Sequence, residues 1–231
     1  MEDLRNMTIN DLLINPLGKG SAVGAARSAI IADLDNRFLK VMLNNNNRME
    51  VRCFKNKDDY LIKVKVPAEK YSGLYYDVLL KFTPYSPNKE DLDVIKNDRS
   101  LNRYRLRLFS NSPNFMFTYT YVLNKYDMIV PIIKHKCSNT ALTTPPAIKN
   151  PVESYGFEKS CYFACKYLKQ MGYLNKLVIE QNLYRFDLVK LQTSIKSQES
   201  KMKEYNMYKE HYRSTARTTK KKKNGKTTKR K

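Results

Sequence analysis

The chain has no tryptophan, two histidines, seven glycines and four cysteines among its 231 residues. Four cysteines are too few for a disulfide framework in a chain of this length, which favours a reducing compartment such as the cytoplasm. No apolar run approaches the roughly 20 residues of a membrane-spanning helix, so no membrane partner is predicted. Histidine is scarce and neither G-x-S-x-G nor H-E-x-x-H occurs, which argues against the common hydrolytic sites. No cofactor is predicted.

Positive charge is abundant by contrast. The net charge is +21, and residues 213–231 hold ten basic residues and no acidic one. Without that segment, 33 basic residues still stand against 22 acidic ones, so the rest of the chain is basic too. Such an excess predicts a polyanionic partner, because phosphate contacts release counterions. Nucleic acid bound without sequence preference is the first candidate and an anionic membrane surface the second. A nuclear-localisation signal or an acidic protein partner would use the same tail.

The periodicity of apolar residues predicts an α+β fold. Thr8 is a suitable N-cap for a short helix that ends before Pro16, and residues 28–43 repeat apolar side chains at helical spacing. Further along, the period changes to two, which is typical of half-buried strands. The predicted strands are residues 60–66, 75–83, 103–109 and 115–122. Short Asn-, Ser- and Pro-rich links between them favour an antiparallel sheet, in a sandwich or an open barrel.

Changes in composition divide the chain into five predicted regions. They are an N-terminal arm and helix (1–48), a β-rich core (49–137), an extended Pro-rich linker (138–151), a helical region (152–212) and a disordered basic tail (213–231). The helical region lacks Pro and Gly from Leu177 to Tyr212. A heptad frame there predicts a coiled coil of about three heptads. Its a and d positions are Tyr184, Leu188, Leu191, Ile195, Gln198, Met202 and Tyr205.

A glycine-containing stretch, NPLGKGSAVGAAR over residues 15–27, has the composition of a phosphate-binding loop. A Walker-type loop places its lysine after the second glycine, whereas Lys19 precedes Gly20. The dinucleotide fingerprint G-x-G-x-x-G is one residue shorter than the spacing of Gly18, Gly20 and Gly24. The stretch is therefore predicted to be a flexible arm of small residues that fits into a neighbouring subunit. Contact of its backbone N–H groups with a phosphate stays open.

Four residues have the side chains of zinc ligands. Their spacings, H-x-C and C-x-x-x-C, differ from the usual C-x-x-C pair, and the apolar flanks of the second pair favour core packing. No metal site is predicted, and zinc is kept as the alternative. The residues are His135, Cys137, Cys161 and Cys165.

An acidic stretch is the one candidate for enzymatic chemistry. Glu90, Asp91, Asp93 and Asp98 lie in a predicted loop without a histidine partner. Carboxylates of this kind could hold a magnesium ion in a nucleic-acid-processing enzyme. Acidic surface loops are far commoner than catalytic ones, so solvated positions are the preferred interpretation.

The basic residues support the main functional prediction. On strands 60–66 and 103–109 they occupy the face opposite the apolar one, and the two strands form one basic face if they share a sheet. Tyrosines close by suit base stacking, whereas ordinary solvent-facing positions are the plainer alternative. The predicted nucleic-acid contacts are Lys63, Lys65, Arg103, Arg105 and Arg107 in the sheet, and Arg213, Arg217, Lys220, Lys221, Lys222, Lys223, Lys226, Lys229, Arg230 and Lys231 in the tail.

Two stretches, INPLGKGSAVGAARSAIIADLDNRF and LRLFSNSPNFMFTYTYVLN, together with the Lys- and Asn-rich composition, resemble virion structural proteins of large tailed bacteriophages. The resemblance implies a capsid, neck or tail component, or a protein packed beside the genome. It places the protein in the virion, or in the host cytoplasm during assembly. It transfers no catalytic residue.

These observations predict a non-enzymatic structural or assembly protein. Its tail and basic sheet face would contact nucleic acid, and its arm and long helix would contact other subunits in a homo-oligomer or a larger assembly. Two alternatives come from other classes: a metal-dependent nucleic-acid-processing enzyme, and a sequence-specific DNA-binding regulator that dimerises through the long helix.

Overall fold

Helices and strands alternate in blocks along the chain. The computed structural model describes residues 6–14, 25–69, 73–146, 158–184, 191–193, 196 and 200. Its elements are α1 (Ile9–Ile14), α2 (Ala25–Asn44), β1 (Glu50–Asn56), β2 (Asp59–Pro67), β3 (Tyr75–Thr83), α3 (Lys89–Asn97), β4 (Arg105–Ser110), a π-helix (Phe115–Tyr119), α4 (Thr120–Lys125), a 3₁₀ helix (Pro131–Lys136), α5 (Asn139–Thr143), α6 (Lys159–Gln170) and α7 (Lys176–Gln181). The predicted α+β class is confirmed.

The four strands form one antiparallel sheet in the order β1-β2-β3-β4. Ile62 of β2 lies opposite Leu80 of β3, and Leu80 lies opposite Leu108 of β4. All three side chains are fully buried. They lie on one face of the sheet, and the alternate residues of each strand share that face. Within the described residues the strands make a single open sheet, so the sandwich or barrel arrangement is wrong.

Both edges of the sheet are covered by other parts of the chain. At the β1 edge, Tyr184 N donates to Cys53 O over 2.8 Å. At the β4 edge, Leu106 N donates to Met7 O over 2.8 Å and Leu108 N donates to Met128 O over 2.7 Å. These bonds occupy backbone groups that would otherwise be open to edge-to-edge pairing with another sheet.

Helix α6 packs on the face that carries Ile62 and Leu80, since its Ser160 hydrogen-bonds to Ser110 on that face, and α1 and α2 pack against α6. The predicted helix over residues 28–43 is confirmed, and its residue Phe38 lies in ring contact with Phe163 of α6, with centroids 5.8 Å apart. Thr8 caps α1 as predicted, because its hydroxyl accepts from Asp11 N. These helices share one hydrophobic core with the sheet.

The predicted strand over residues 115–122 is wrong, because this segment is helical. Ser112 Oγ accepts from Phe115 N over 3.1 Å, and Pro113 follows the serine, an arrangement that starts a helix. The backbone donors of β4 that a fifth strand would need are bonded to Met7 and Met128 instead. The segment therefore packs onto the opposite face of the sheet, where Phe115 contacts Phe109 with ring centroids 5.8 Å apart.

Two segments that were predicted to be irregular also contain helices. The acidic stretch forms α3, since Asn88 Oδ1 accepts from Glu90 N and caps the helix. The start of the predicted extended linker forms α5, since Ser138 Oγ accepts from Ala141 N. In both cases a capping side chain supplies the missing partner of a first-turn N–H group.

Glu69 connects α2 to α6. Arg37 of α2 donates to both of its carboxylate oxygens over 2.8 Å, and Lys159 of α6 also contacts it. The hydrogen bond from Arg37, reinforced by Lys159 against the opposing effect of burial, lowers the pKa of Glu69 to about 2.

Acidification is expected to weaken this connection. The folded-state pKa of Glu69 lies below its ordinary value of 4.5, so its contribution is present above pH 4.5 and is lost as the pH falls towards 2. In Glu69→Gln this pH-dependent part, about 1–2 kcal/mol for a partly exposed group, should be missing. Urea unfolding between pH 5 and 2 measures it. Parallel pH curves for the two proteins would contradict the prediction.

Candidate nucleic-acid interface

The predicted basic residues of β2 and β4 do lie on one face of the sheet. Leu61, Lys81 and Arg107 stand directly opposite one another in three neighbouring strands. Lys63 and Lys65 follow Leu61 at alternate positions of β2 and therefore share its face. Arg105 does the same beside Arg107.

Carboxylates on the same face neutralise most of this charge. The Lys65 ammonium lies 2.8 Å from Glu50, and the Lys81 ammonium lies 2.7 Å from Asp59. Glu50 comes from β1, so the antiparallel register brings together acidic and basic residues 15 positions apart. The lysines of this face are thus largely paired within the protein.

Lys63 does not face solvent, and its prediction as a nucleic-acid contact is corrected. Its side chain is 4% exposed and its ammonium lies 2.9 Å from the carboxylate of Asp77, which is fully buried. The alternation of β2 indicated a solvent-facing position, but the segment after β4 covers this face. A phosphate cannot reach Lys63 without breaking a buried ion pair.

Arg105 and Arg107 share one carboxylate. Asp127, in the turn after α4, accepts from Arg105 over 2.9 Å and from Arg107 over 2.5 Å. Burial opposes the ionisation of Asp127, but both arginines outweigh it and lower its pKa. Both arginine side chains are less than 15% exposed. Two guanidinium groups on one carboxylate leave a surplus of one positive charge, held close to the surface.

Arg103 lies outside the predicted row. β4 begins at Arg105, and Arg103 is exposed on the preceding turn, which is closed by a bond from Tyr104 N to Leu101 O. Within the part of the chain that the structure describes, its guanidinium has no ion-pair partner. The three arginines therefore do not act as one row, because only two belong to the strand.

A groove of about 310 Å³ lies next to this turn, between the loop after α3 and the turn after α6. Leu101 N donates to Leu174 O, and Lys176 N donates to Arg99 O, both over 2.8 Å. The residues that line the groove include two basic ones, Arg99 and Lys169. No local pattern in the sequence indicates that these two residues meet, because 70 positions separate them.

The remaining predicted contacts lie outside the described residues. These are all ten basic residues of the tail (213–231) and the glycine-containing stretch over residues 15–24. The same holds for most of the heptad frame. Of its positions, Leu191 is buried, and Tyr184 lies beyond the end of α7 with its ring 6.4 Å from that of Phe54. Helix α7 ends at Gln181, before the first position of the frame, and the predicted coiled coil lies largely outside the described residues.

The candidate zinc ligands are not brought together. All four cysteines of the chain are buried, whereas His135 is exposed on the 3₁₀ helix. In the described ranges, no three His, Cys, Asp or Glu side chains form a group that could hold a metal ion. Burial raises the pKa of both Cys161 and Cys165, so these thiols stay protonated and pack in the core.

The candidate catalytic carboxylates are spread over α3. Glu90, Asp91 and Asp93 are exposed on this helix, where acidic residues near the N-terminus stabilise it, and Asp98 ends it and accepts from Ser100 N. They lie on a solvated helix rather than in a catalytic loop.

None of the helices in the described part is both long and apolar enough to cross a bilayer.

Comparisons of the chain with protein families, with curated proteins and with solved structures give no match. The resemblance to phage virion proteins therefore stays a prediction.

Proposed function

We propose that this chain is a non-enzymatic structural or assembly protein that contacts nucleic acid without sequence preference, as a component of a phage-like virus particle. Positive charge left over after ion pairing supports the proposal. Most carboxylates from β1 to α7 that lie outside α3 form ion pairs, yet nine exposed basic residues have no carboxylate partner among the described residues. They are Lys40, Arg48, Lys57, Lys89, Arg99, Arg103, Lys134, Lys169 and Lys196.

The tail adds ten further basic residues and no acidic one. A polyanion gains most from such an arrangement, because each neutralised phosphate releases condensed counterions. The body would orient the protein on the nucleic acid, and the tail would supply most of the phosphate contacts. The arm and the C-terminal region would bind neighbouring subunits of a homo-oligomer or a larger assembly.

The test is the salt dependence of binding to a random-sequence DNA duplex. The full chain is expected to bind with a steep slope of log affinity against log salt, about −0.9 per phosphate contact. A chain that ends at Ser214 should lose several contacts and still bind. A matched full-length control replaces the nine basic residues after Ser214 with glutamine, so that length is kept while the same charge is removed.

Either variant should show the same reduced slope if charge is responsible. Absence of binding by the full chain at moderate salt would overturn the proposal and direct the search to an acidic protein partner. A preference of several orders of magnitude for one DNA site would instead favour the regulator.

A further inference from the structure

The groove beside Arg103 is rigidly built. An antiparallel bridge joins Ser100 to Asn175, and the two hydrogen bonds that flank it fix the loop after α3 against the turn after α6. Gly172, with φ +75°, makes this turn possible, because other residues rarely adopt that conformation. The backbones of the two segments are therefore held at a fixed separation.

Positive charge dominates the surroundings of the groove. Arg99 and Lys169 line it, Arg103 is exposed on the adjoining turn, and Lys176 follows Asn175 of the lining. Asp98 is the one carboxylate among the residues that line the groove. Asp98 Oδ1 accepts a hydrogen bond from Ser100 N over 2.9 Å, so this carboxylate is engaged within the loop.

The cations of the groove differ in how far the protein engages them. Lys176 donates to Lys96 O over 2.7 Å and lies 4.8 Å above the Tyr104 ring, so it is held by the fold. Among the described residues, Lys169 donates only to the neutral amide oxygen of Asn10, over 3.0 Å. Arg99 and Arg103 have no side-chain partner among the described residues. Three cations are thus available to an external anion.

We propose that this groove is the phosphate-contact site of the folded body, with Arg99, Arg103 and Lys169 binding the nucleic-acid backbone. The inference rests on the proposed function and gives it a location. Arginine presents a planar fork that matches phosphate oxygens, and lysine supplies a mobile charge beside it. The site reads no sequence, because it contacts backbone phosphates alone.

The experiment compares two full-length variants of equal charge. In the groove variant Arg99, Arg103 and Lys169 are all replaced with glutamine. In the control, glutamine replaces Lys40 of α2, Lys57 of the turn between β1 and β2, and Lys89 of α3. All three are exposed and have no carboxylate partner among the described residues. Salt-dependent binding to a random-sequence DNA duplex is measured for both.

The groove variant is expected to lose about 2–3 units of salt slope and to bind roughly 10- to 100-fold more weakly at physiological salt. The control removes the same net charge outside the groove and should keep most of the wild-type salt slope. Equal losses in the two variants, or none in the groove variant, would overturn the inference while the proposed function stands. If the wild-type chain itself does not bind DNA, the proposed function fails as well.

A footprint on the wild-type chain tests the site without relying on a variant. The lysines are acetylated with an amine-reactive reagent in the presence and in the absence of the duplex. Mass spectrometry then measures how far each lysine has reacted. Lys169 should be protected by DNA, whereas Lys89 should react equally in both conditions. Unprotected Lys169 in a saturated complex would contradict the groove as the contact site.

Discussion

Asp77→Ala is expected to destabilise the protein by about 3–5 kcal/mol, the cost of leaving an uncompensated charge in the interior. The Asp77 carboxylate is fully buried and lies 2.9 Å from the ammonium of Lys63, which is 4% exposed. Removing the carboxylate leaves that ammonium away from water without its counter-charge. Urea unfolding followed by circular dichroism measures the loss.

A double variant separates charge from packing. Lys63→Met together with Asp77→Leu replaces the pair with apolar side chains, and we expect it to recover to within about 1 kcal/mol of the wild type. The backbone bond from Asp77 N to Asn111 Oδ1 is kept in both variants. A change of less than about 1 kcal/mol in Asp77→Ala would show that the pair is hydrated rather than buried.

Phe38→Ala is expected to cost about 3–5 kcal/mol, the range for truncating a buried aromatic residue. Phe38 is 1% exposed and contacts Phe163, so its loss opens a cavity where α2 meets α6. The matched control is the next residue of the same helix. Leu39 is 54% exposed, and Leu39→Ala should change the free energy of unfolding by no more than about 0.5 kcal/mol.

Thermal and urea unfolding of the two variants measure these changes in the free energy of unfolding and test the prediction. Equal losses for Phe38→Ala and Leu39→Ala would mean that α2 does not dock through the face that carries Phe38. A large loss for Leu39→Ala alone would place the buried face of α2 on its other side.

Local patterns in the sequence predicted the parts of the fold that depend on neighbours in the chain. The 3.6-residue period from Ile30 to Met42 predicted α2, because a single helix face buries its apolar residues. Strict alternation predicted β2 and β3 and the common face of Lys63 and Arg107. The same alternation gave a wrong prediction at residues 115–122. Apolar side chains occur there at both odd and even positions, and the serine that caps the first turn stabilises a helix instead.

The sequence by itself also determined that the protein is strongly basic. Only the tertiary structure decided which positive charges stay available. Asp127 reaches Arg107 across 20 positions, and Asp77 reaches Lys63 through the register of two strands. Arg99 and Lys169 meet because backbone hydrogen bonds join two distant segments. Ion pairs form between groups a few ångströms apart in space. Their partners can be distant in the sequence, so no periodic pattern along the chain predicts them.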